Sequence, residues 1–394
     1  MKILVILPRF PYPLEKGDKL RAYHQIKTLA ADNEIYLFAL SHSKVSDTSI
    51  AELEKYCRKI CNVRLSKLWG AVRMVRNLFT MRSLQIGFWD SRKAKRQCRE
   101  FESAVQPDVI YAQMVRTMSY AANSKRPKVL DFQDALSMNV GRRMMNSKGL
   151  RYFLYHFEFK MLRSAEYEAC SLFDRTTIIS EIDRDAIPQQ RDNVIDIVRN
   201  GVDFEYFHPL ELEKKYDIVF CGNMQYQPNI DAAQYLVDEI MPLVWQSHPE
   251  ATVVLAGATP TATVRQLASR RVTVTGSVDD IRPFYAHSKV FIAPMRIGSG
   301  LQNKLLEAMS MGVPCITTPL ANDSLGASDG QHLLLGSDAT QLAAAILRLL
   351  DNPAEAKKLS DNASLFVHDN FSWKAAGNEL YRVLQQATEK HNRQ

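Results

Sequence analysis

The chain has 394 residues, more than one hydrophobic core usually serves, so two domains are expected. Apolar residues make up 46% and charged residues 24%, an ordinary globular balance, and no apolar run approaches the ~20 residues of a membrane-spanning helix. A net charge of +7 favours anionic partners: a phosphate-bearing substrate, nucleic acid or an acidic membrane surface.

The opening MKILVILPRF has one Lys and a short apolar run stopped by Pro8, which reads as a first strand and not as a signal segment. Six cysteines in a chain of this length predict reduced thiols in a cytosol. Cys57 and Cys61 are spaced as one helical turn, but no nearby His/Cys pair would complete a zinc site, so no metal is expected there. Runs Ile3–Leu7, Ile35–Leu40, Val109–Ala112, Lys128–Asp131, Arg175–Ile179 and Val194–Val198 read as strands of a first half. Asp217–Cys221, Thr252–Ala256, Val272–Thr275, Val290–Ala293, Cys315–Thr317 and His332–Leu335 read as strands of a second. Helical patterns lie between most of them, so the expected class is α/β: two doubly wound, Rossmann-like domains facing across a cleft. HPLELEKKY breaks the pattern and puts the boundary at 209/210, giving domains 1–209 and 210–372, with a last helical stretch in 373–394.

Between Lys55 and Arg99 basic residues abound and Asp90 is the single acid. Leu65, Leu68, Trp69, Val72, Val75, Leu78 and Phe79 mark one helical face. Three readings stand: a surface helix packed on its own domain, a helix lying on an anionic membrane, or a nucleic-acid contact. No helix-turn-helix, zinc-finger or RNA-binding aromatic signature accompanies it, and no nucleic-acid partner is expected.

Three stretches carry candidate chemistry. Gly17-Asp18-Lys19 follows the Pro-rich loop after strand one, where Gly17 would let backbone approach a ligand and Asp18 would cap the next helix. Simple punctuation between strand and helix is the alternative there. After Val290–Ala293, Met295-Arg296-Ile297-Gly298-Ser299-Gly300 turns into a helix near Leu301. Amides of Gly300, Leu301 and Gln302 would face an anion, Arg296 and Lys304 would neutralise a diphosphate, and Glu307 among Leu305, Leu306 and Met309 suits a hydroxyl-rich ligand such as ribose. The third stretch is Phe220-Cys221-Gly222-Asn223-Met224, where Gly222 again suggests close backbone approach. Asp183-Arg184-Asp185 has a metal-transferase spacing, but it lies in a capped helix start and reads as a solvated acidic turn.

In combination these stretches resemble glycosyltransferase family 4, enzymes of the GT-B fold. IVFCGNMQYQPNIDAAQYL, VTVTGSVDDIRPFYAHSKVFIAP and GSGLQNKLLEAMSMGVPCITT follow that family's order and spacing, and Asn200-Gly201-Val202-Asp203 through Phe207-His208-Pro209 matches its interdomain passage. The resemblance implies a retaining, metal-independent transfer of a hexosyl unit from a UDP- or GDP-linked sugar to a glycan or polyprenyl-linked acceptor in cell-surface polysaccharide biosynthesis. It implies no other cofactor; a cytoplasmic protein is expected, and the basic, aromatic first-domain segment fits a lipid-linked acceptor met peripherally on the inner membrane face. The family's paired acids fall on Ser299 and Glu307, so the first is missing and the second holds ribose. Asn223 stands where Arg is common, leaving Arg296 and Lys304 for the diphosphate. Ser277 and Val278 take the place whose backbone meets the nucleobase. The family His is missing from the first domain, which leaves Arg116, Asp131 and Asp134 as acceptor-side candidates. The closing helix resembles the one that returns to the first domain. A catalytically inactive nucleotide-sugar-binding partner is the alternative function.

Overall fold

A computed structural model of the chain describes residues 1–14, 16–145, 147–188, 195–298 and 301–392. The chain divides into two compact units, Met1–Arg199 with Trp373–Gln394, and Asn200–Ser372. In the first, β1 (Lys2–Leu7), β2 (Glu34–Ser41), β3 (Cys57–Arg64), β4 (Val109–Gln113), β5 (Lys128–Asp131), β6 (Arg175–Ile178) and β7 (Ile195–Ile197) form a parallel sheet ordered β3-β2-β1-β4-β5-β6-β7. In the second, β8 (Tyr216–Cys221), β9 (Val253–Ala256), β10 (Val272–Val274), β11 (Ser288–Ala293), β12 (Cys315–Thr317) and β13 (Leu334–Leu335) are ordered β10-β9-β8-β11-β12-β13, again parallel. Both units are Rossmann-like and doubly wound.

The apolar runs are unbroken because both faces of each sheet are covered. Along β1, Ile3, Val5 and Leu7 enter one core cluster while Leu4 and Ile6 enter another, the two-residue alternation of a strand buried on both sides. Helices Gly17–Leu29 and Trp373–Asn392 cover the Ile3 face. His24 stacks on Trp373 at 4.7 Å between ring centroids, and at Gly377 a Cβ would stand only 2.3 Å from Thr28 Cγ2. The closing helix therefore lies in the first unit. Each strand order turns back once, between β1 and β4 and between β8 and β11. Crevices outside the carboxyl ends of strands at such points are where doubly wound sheets bind ligands.

Three expectations need correction. The stretch 200–209 packs with the second unit, not the first: the Val202 amide donates to the Phe371 carbonyl at 2.9 Å, the Ser310 hydroxyl donates to the Phe207 carbonyl at 2.5 Å, and Phe204 and Phe207 lie on the second core. Strand β3 was hidden in the basic stretch. It is an edge strand, where Lys and Arg deter further pairing, and Cys57 and Cys61 lie on a strand, not a helical turn, facing different core clusters because the register shifts after Cys57. Asp183 is buried rather than solvated: it accepts from the Ala135 amide at 3.1 Å and the Ser180 hydroxyl at 2.6 Å, while Ser180 caps its helix. Val194, expected to open β7, lies outside the described residues.

Candidate active site

In the second unit the loops after β8 and β11 flank the turning point of the strand order. The loop after β11 is pinned from β12, where Thr317 and Thr318 hydroxyls donate to the Ala293 and Met295 carbonyls, each at 2.7 Å. Gly298 has φ +119°, a region side-chain-bearing residues rarely enter, and its Cα faces Pro228. Ser299 and Gly300, both expected on the donor, lie outside the described residues. The helix that follows spans Asn303–Ser310, starting later than Leu301. Gln302 is its extended N-cap residue, and its side chain makes no capping hydrogen bond. Leu301 instead packs on the core.

Lys304 is the half-buried cation of this site. Its Nζ donates to Asn229 Oδ1 at 2.5 Å, lies 3.9 Å from Met295 Sδ and stands 4.7 Å over the centroid of the Phe220 ring. Burial pulls its pKa down to about 8, against the field of Glu307, which raises it. One turn on, Glu307 Oε2 accepts from the buried Tyr285 hydroxyl at 2.8 Å. Burial pushes the Glu307 carboxyl up, while Tyr285 and Lys304 pull it down. No hydrogen bond reaches Oε1 among the described residues.

Around this pair, Gly222 is dictated by protein packing: a Cβ there would stand 2.7 Å from Asn229 Nδ2. Asn229 Nδ2 in turn donates to the Asn223 carbonyl at 2.9 Å. Asn223 Oδ1 accepts from the Gln225 amide at 3.0 Å and the Thr259 hydroxyl at 3.1 Å, so its side chain braces the turn. Val278 lies in the loop beyond β10, half exposed after Gly276. Arg296 does not join the group. It forms ion pairs with Asp231 at 2.9 Å and Glu239 at 3.0 Å, lies 4.1 Å over Tyr235, and its side chain is 42% exposed. Its charge is met by acids of the neighbouring helical segment, which corrects its assignment to the diphosphate. Among the described residues no group of three or more His, Cys, Asp or Glu is arranged to hold a metal ion.

In the first unit, candidates gather beyond the carboxyl ends of β1, β4 and β5. Gly17 is the exposed first residue of its helix. Asp18 does not cap that helix; it accepts from Arg9 Nη1 at 2.5 Å. Arg116 sits on the turn after β4, half-buried, donating from Nη2 to Gln85 Oε1 at 2.5 Å, while its Nε has no partner among the described residues. Burial, then Arg9, lowers its pKa to about 10. Asp131, the other acceptor-side candidate, is structural: it is the buried counter-ion of Arg21, with Nε–Oδ2 at 2.7 Å, and it accepts from Tyr111 at 2.8 Å and Thr177 at 3.1 Å. Asp134 follows on the same loop. Burial raises its pKa to about 7, aided by Asp183 and Asp131 and opposed by Arg21. No side-chain hydrogen bond reaches it among the described residues.

Sequence reading missed Asn229, Tyr285 and Arg9. Pro228-Asn229 at a helix start was visible as punctuation only, and nothing local marks Tyr285, 22 residues before Glu307.

Two parallel-sheet Rossmann-like domains with polar groups at strand ends define the GT-B fold. Residues 215–352, within the second unit, match the family model described as glycosyl transferases group 1. Over the whole chain, similarity extends to a 44.6 kDa protein of the cps region of Klebsiella pneumoniae, 20% identical over 97% of this chain and 99% of that one. Among solved structures, sucrose-phosphate synthase from Thermosynechococcus elongatus superposes with a TM-score of 0.72 at 15% identity, covering 98% of this chain and 99% of that chain. Anabaena HepE, solved with UDP-glucose, gives 0.67 at 15% identity over 98% and 99%. At these identities the likeness is one of fold.

Proposed function

We propose that this protein is a retaining, metal-independent hexosyltransferase that moves a sugar from a UDP- or GDP-linked donor to a glycan or polyprenyl-linked acceptor in cell-surface polysaccharide biosynthesis. The observation that carries the reading is the pairing of Lys304 and Glu307 one helical turn apart at the β8/β11 turning point. A diphosphate is met there by a partly desolvated ammonium and by the amides of a helix start that the Gln302 side chain does not cap. A ribose is met by the Glu307 carboxylate. The cps-region relative and the UDP-glucose complex of HepE support the pathway and the donor class by similarity.

The reaction breaks the bond from the sugar's anomeric carbon to the β-phosphate oxygen and forms one to an acceptor hydroxyl oxygen. Charge grows on the leaving diphosphate, and Lys304 stabilises it more in the transition state than in the ground state. With the acceptor entering on the face the diphosphate leaves, the acceptor proton passes to a departing phosphate oxygen and configuration is retained. Arg116 and Asp134 would orient the acceptor.

The test is a thermal-stability screen of nucleotide-sugars, followed by mass spectrometry of the stabilising donors with glycan and polyprenyl-phosphate acceptors. Donor-dependent transfer, with the anomeric configuration kept by NMR, supports the reading. Stabilisation without transfer or hydrolysis points to the nucleotide-sugar-binding alternative, and no stabilisation by any nucleotide-sugar overturns the donor site.

A further inference from the structure

Helix Lys67–Phe79 is inside out. Its packed face is the small and polar one: Gly70 lies against the Phe88 ring, where a Cβ would be 2.7 Å from ring carbon, Asn77 Nδ2 donates to the Ser83 carbonyl at 2.9 Å, and Arg73 Nη2 donates to the Phe88 carbonyl at 2.9 Å. Its apolar face points to solvent, with Leu68 75%, Trp69 63% and Phe79 80% exposed. Leu65, expected on that face, is buried ahead of the helix. A globular helix buries its apolar stripe; one that exposes it has another partner.

A second exposed apolar segment opens a later helix of the same unit. Leu150, Phe153 and Leu154 stand on the first turns of helix Leu150–Leu172, with Phe153 68% exposed. Glu158, on that same helix, accepts from the Ser83 hydroxyl and the Leu84 amide at 2.7 Å each and from the Gln85 amide at 3.1 Å. These bonds join the chain just after Phe79 and Met81 to the third turn of the helix that opens with Leu150, Phe153 and Leu154.

Apart from the buried Glu158, the charges carried by the two stretches have one sign. Residues 55–89 and 135–157 contain no Asp or Glu. Lys67, Arg76, Arg82, Arg143, Lys148 and Arg151 join no ion pair among the described residues. Unpaired cations beside large exposed apolar side chains match the interface of an anionic bilayer, where rings enter the acyl boundary and cations meet lipid phosphates. No described helix is long and apolar enough to cross a membrane, so the contact is with its surface.

We infer that the first unit docks on an anionic lipid surface through both segments together, the Lys67–Met81 stretch and the start of the Leu150 helix. This stands apart from the transferase reading and fails separately from it. The test is co-sedimentation of the full chain with vesicles of phosphatidylglycerol and phosphatidylcholine, against phosphatidylcholine alone. Binding should need the anionic lipid, weaken in high salt, and shift the Trp69 emission to the blue, a shift lost in Trp69→Phe. Phe79→Ser and Phe153→Ser, both at exposed sites, should each lower the partition coefficient about tenfold or more, with unchanged circular dichroism and unchanged nucleotide-induced stabilisation. No binding to anionic vesicles overturns the inference. So does binding indifferent to Phe153→Ser, or sedimentation of the free protein as a dimer that those substitutions dissociate.

Discussion

Asn229 holds Lys304 in place from the helix Gln227–Tyr235 that follows β8. Its Oδ1 accepts from the Lys304 ammonium at 2.5 Å while its Nδ2 donates to the Asn223 carbonyl at 2.9 Å, so both ends of one amide are used and its orientation is fixed. The cation is thereby positioned before any ligand arrives, the condition under which a charge contributes most to a transition state.

Lys304→Ala should lower transfer by about a hundredfold or more, the scale of one oriented electrostatic contact. Asn229→Ala should lower it less, because the charge survives but is no longer aimed. Initial rates at saturating donor check both, and equal rates for wild type and Lys304→Ala would remove the cation from the mechanism.

Proton linkage gives a second handle on the same group. With its pKa brought from 10.5 to about 8, folded Lys304 has released a proton that the unfolded chain still holds between those values, so this group favours folding increasingly as pH rises through that window. A diphosphate restores the ammonium. Calorimetry with UDP or GDP just above pH 8 in buffers of different ionisation enthalpy should therefore register proton uptake, and Lys304→Met should abolish it.

Arg296→Ala should leave turnover within about twofold and cost at most ~1 kcal/mol of stability, because its pairs with Asp231 and Glu239 are solvent-exposed. Steady-state rates and urea unfolding measure this. A loss as large as that of Lys304→Ala would mean that Arg296 leaves those acids for the ligand.

Asp134 carries the opposite linkage sign. Raised from 3.8 to about 7, it binds a proton in the folded chain that the unfolded chain releases, so its contribution to stability falls as pH rises through that window. Asp134→Asn should raise the melting temperature at pH 8 and leave it nearly unchanged well below the native titration. If the group orients the acceptor, the same variant also lowers kcat with donor KM unchanged.

Glu307→Gln should weaken a nucleoside diphosphate about tenfold, the loss of a charge-assisted hydrogen bond. A 2′-deoxy nucleotide should weaken wild type similarly and the variant little further. Additive losses in that cycle would place the carboxylate away from the ribose.

Arg21→Ala is the structural control. It strands the Asp131 carboxylate in the core beside Tyr111 and Thr177 and should cost about 3–5 kcal/mol in urea unfolding.

The alternation of apolar runs with helical patterns made the two doubly wound sheets legible, because strands covered on both faces must be apolar throughout. β3 escaped because an edge strand obeys a different demand, keeping one margin unpaired and basic. Lys304 and Glu307 were legible because both lie on one helix, where a spacing of three residues fixes a shared face. Asn229 and Tyr285 were not, since each reaches the pair from another element. Arg296 was misread for the same reason: its acids, Asp231 and Glu239, lie far back in the chain.

Local periodicity is a property of neighbouring residues, and it determined the fold class and the helix that carries Lys304 and Glu307. Which charges are spent on the protein and which remain for a ligand was decided only in three dimensions. The same holds for the Lys67–Phe79 helix, whose apolar stripe the sequence displays but whose outward direction follows from Gly70 and Asn77 packing inward. Partnering depends on distances through space, and those distances exist only once the sheets have assembled.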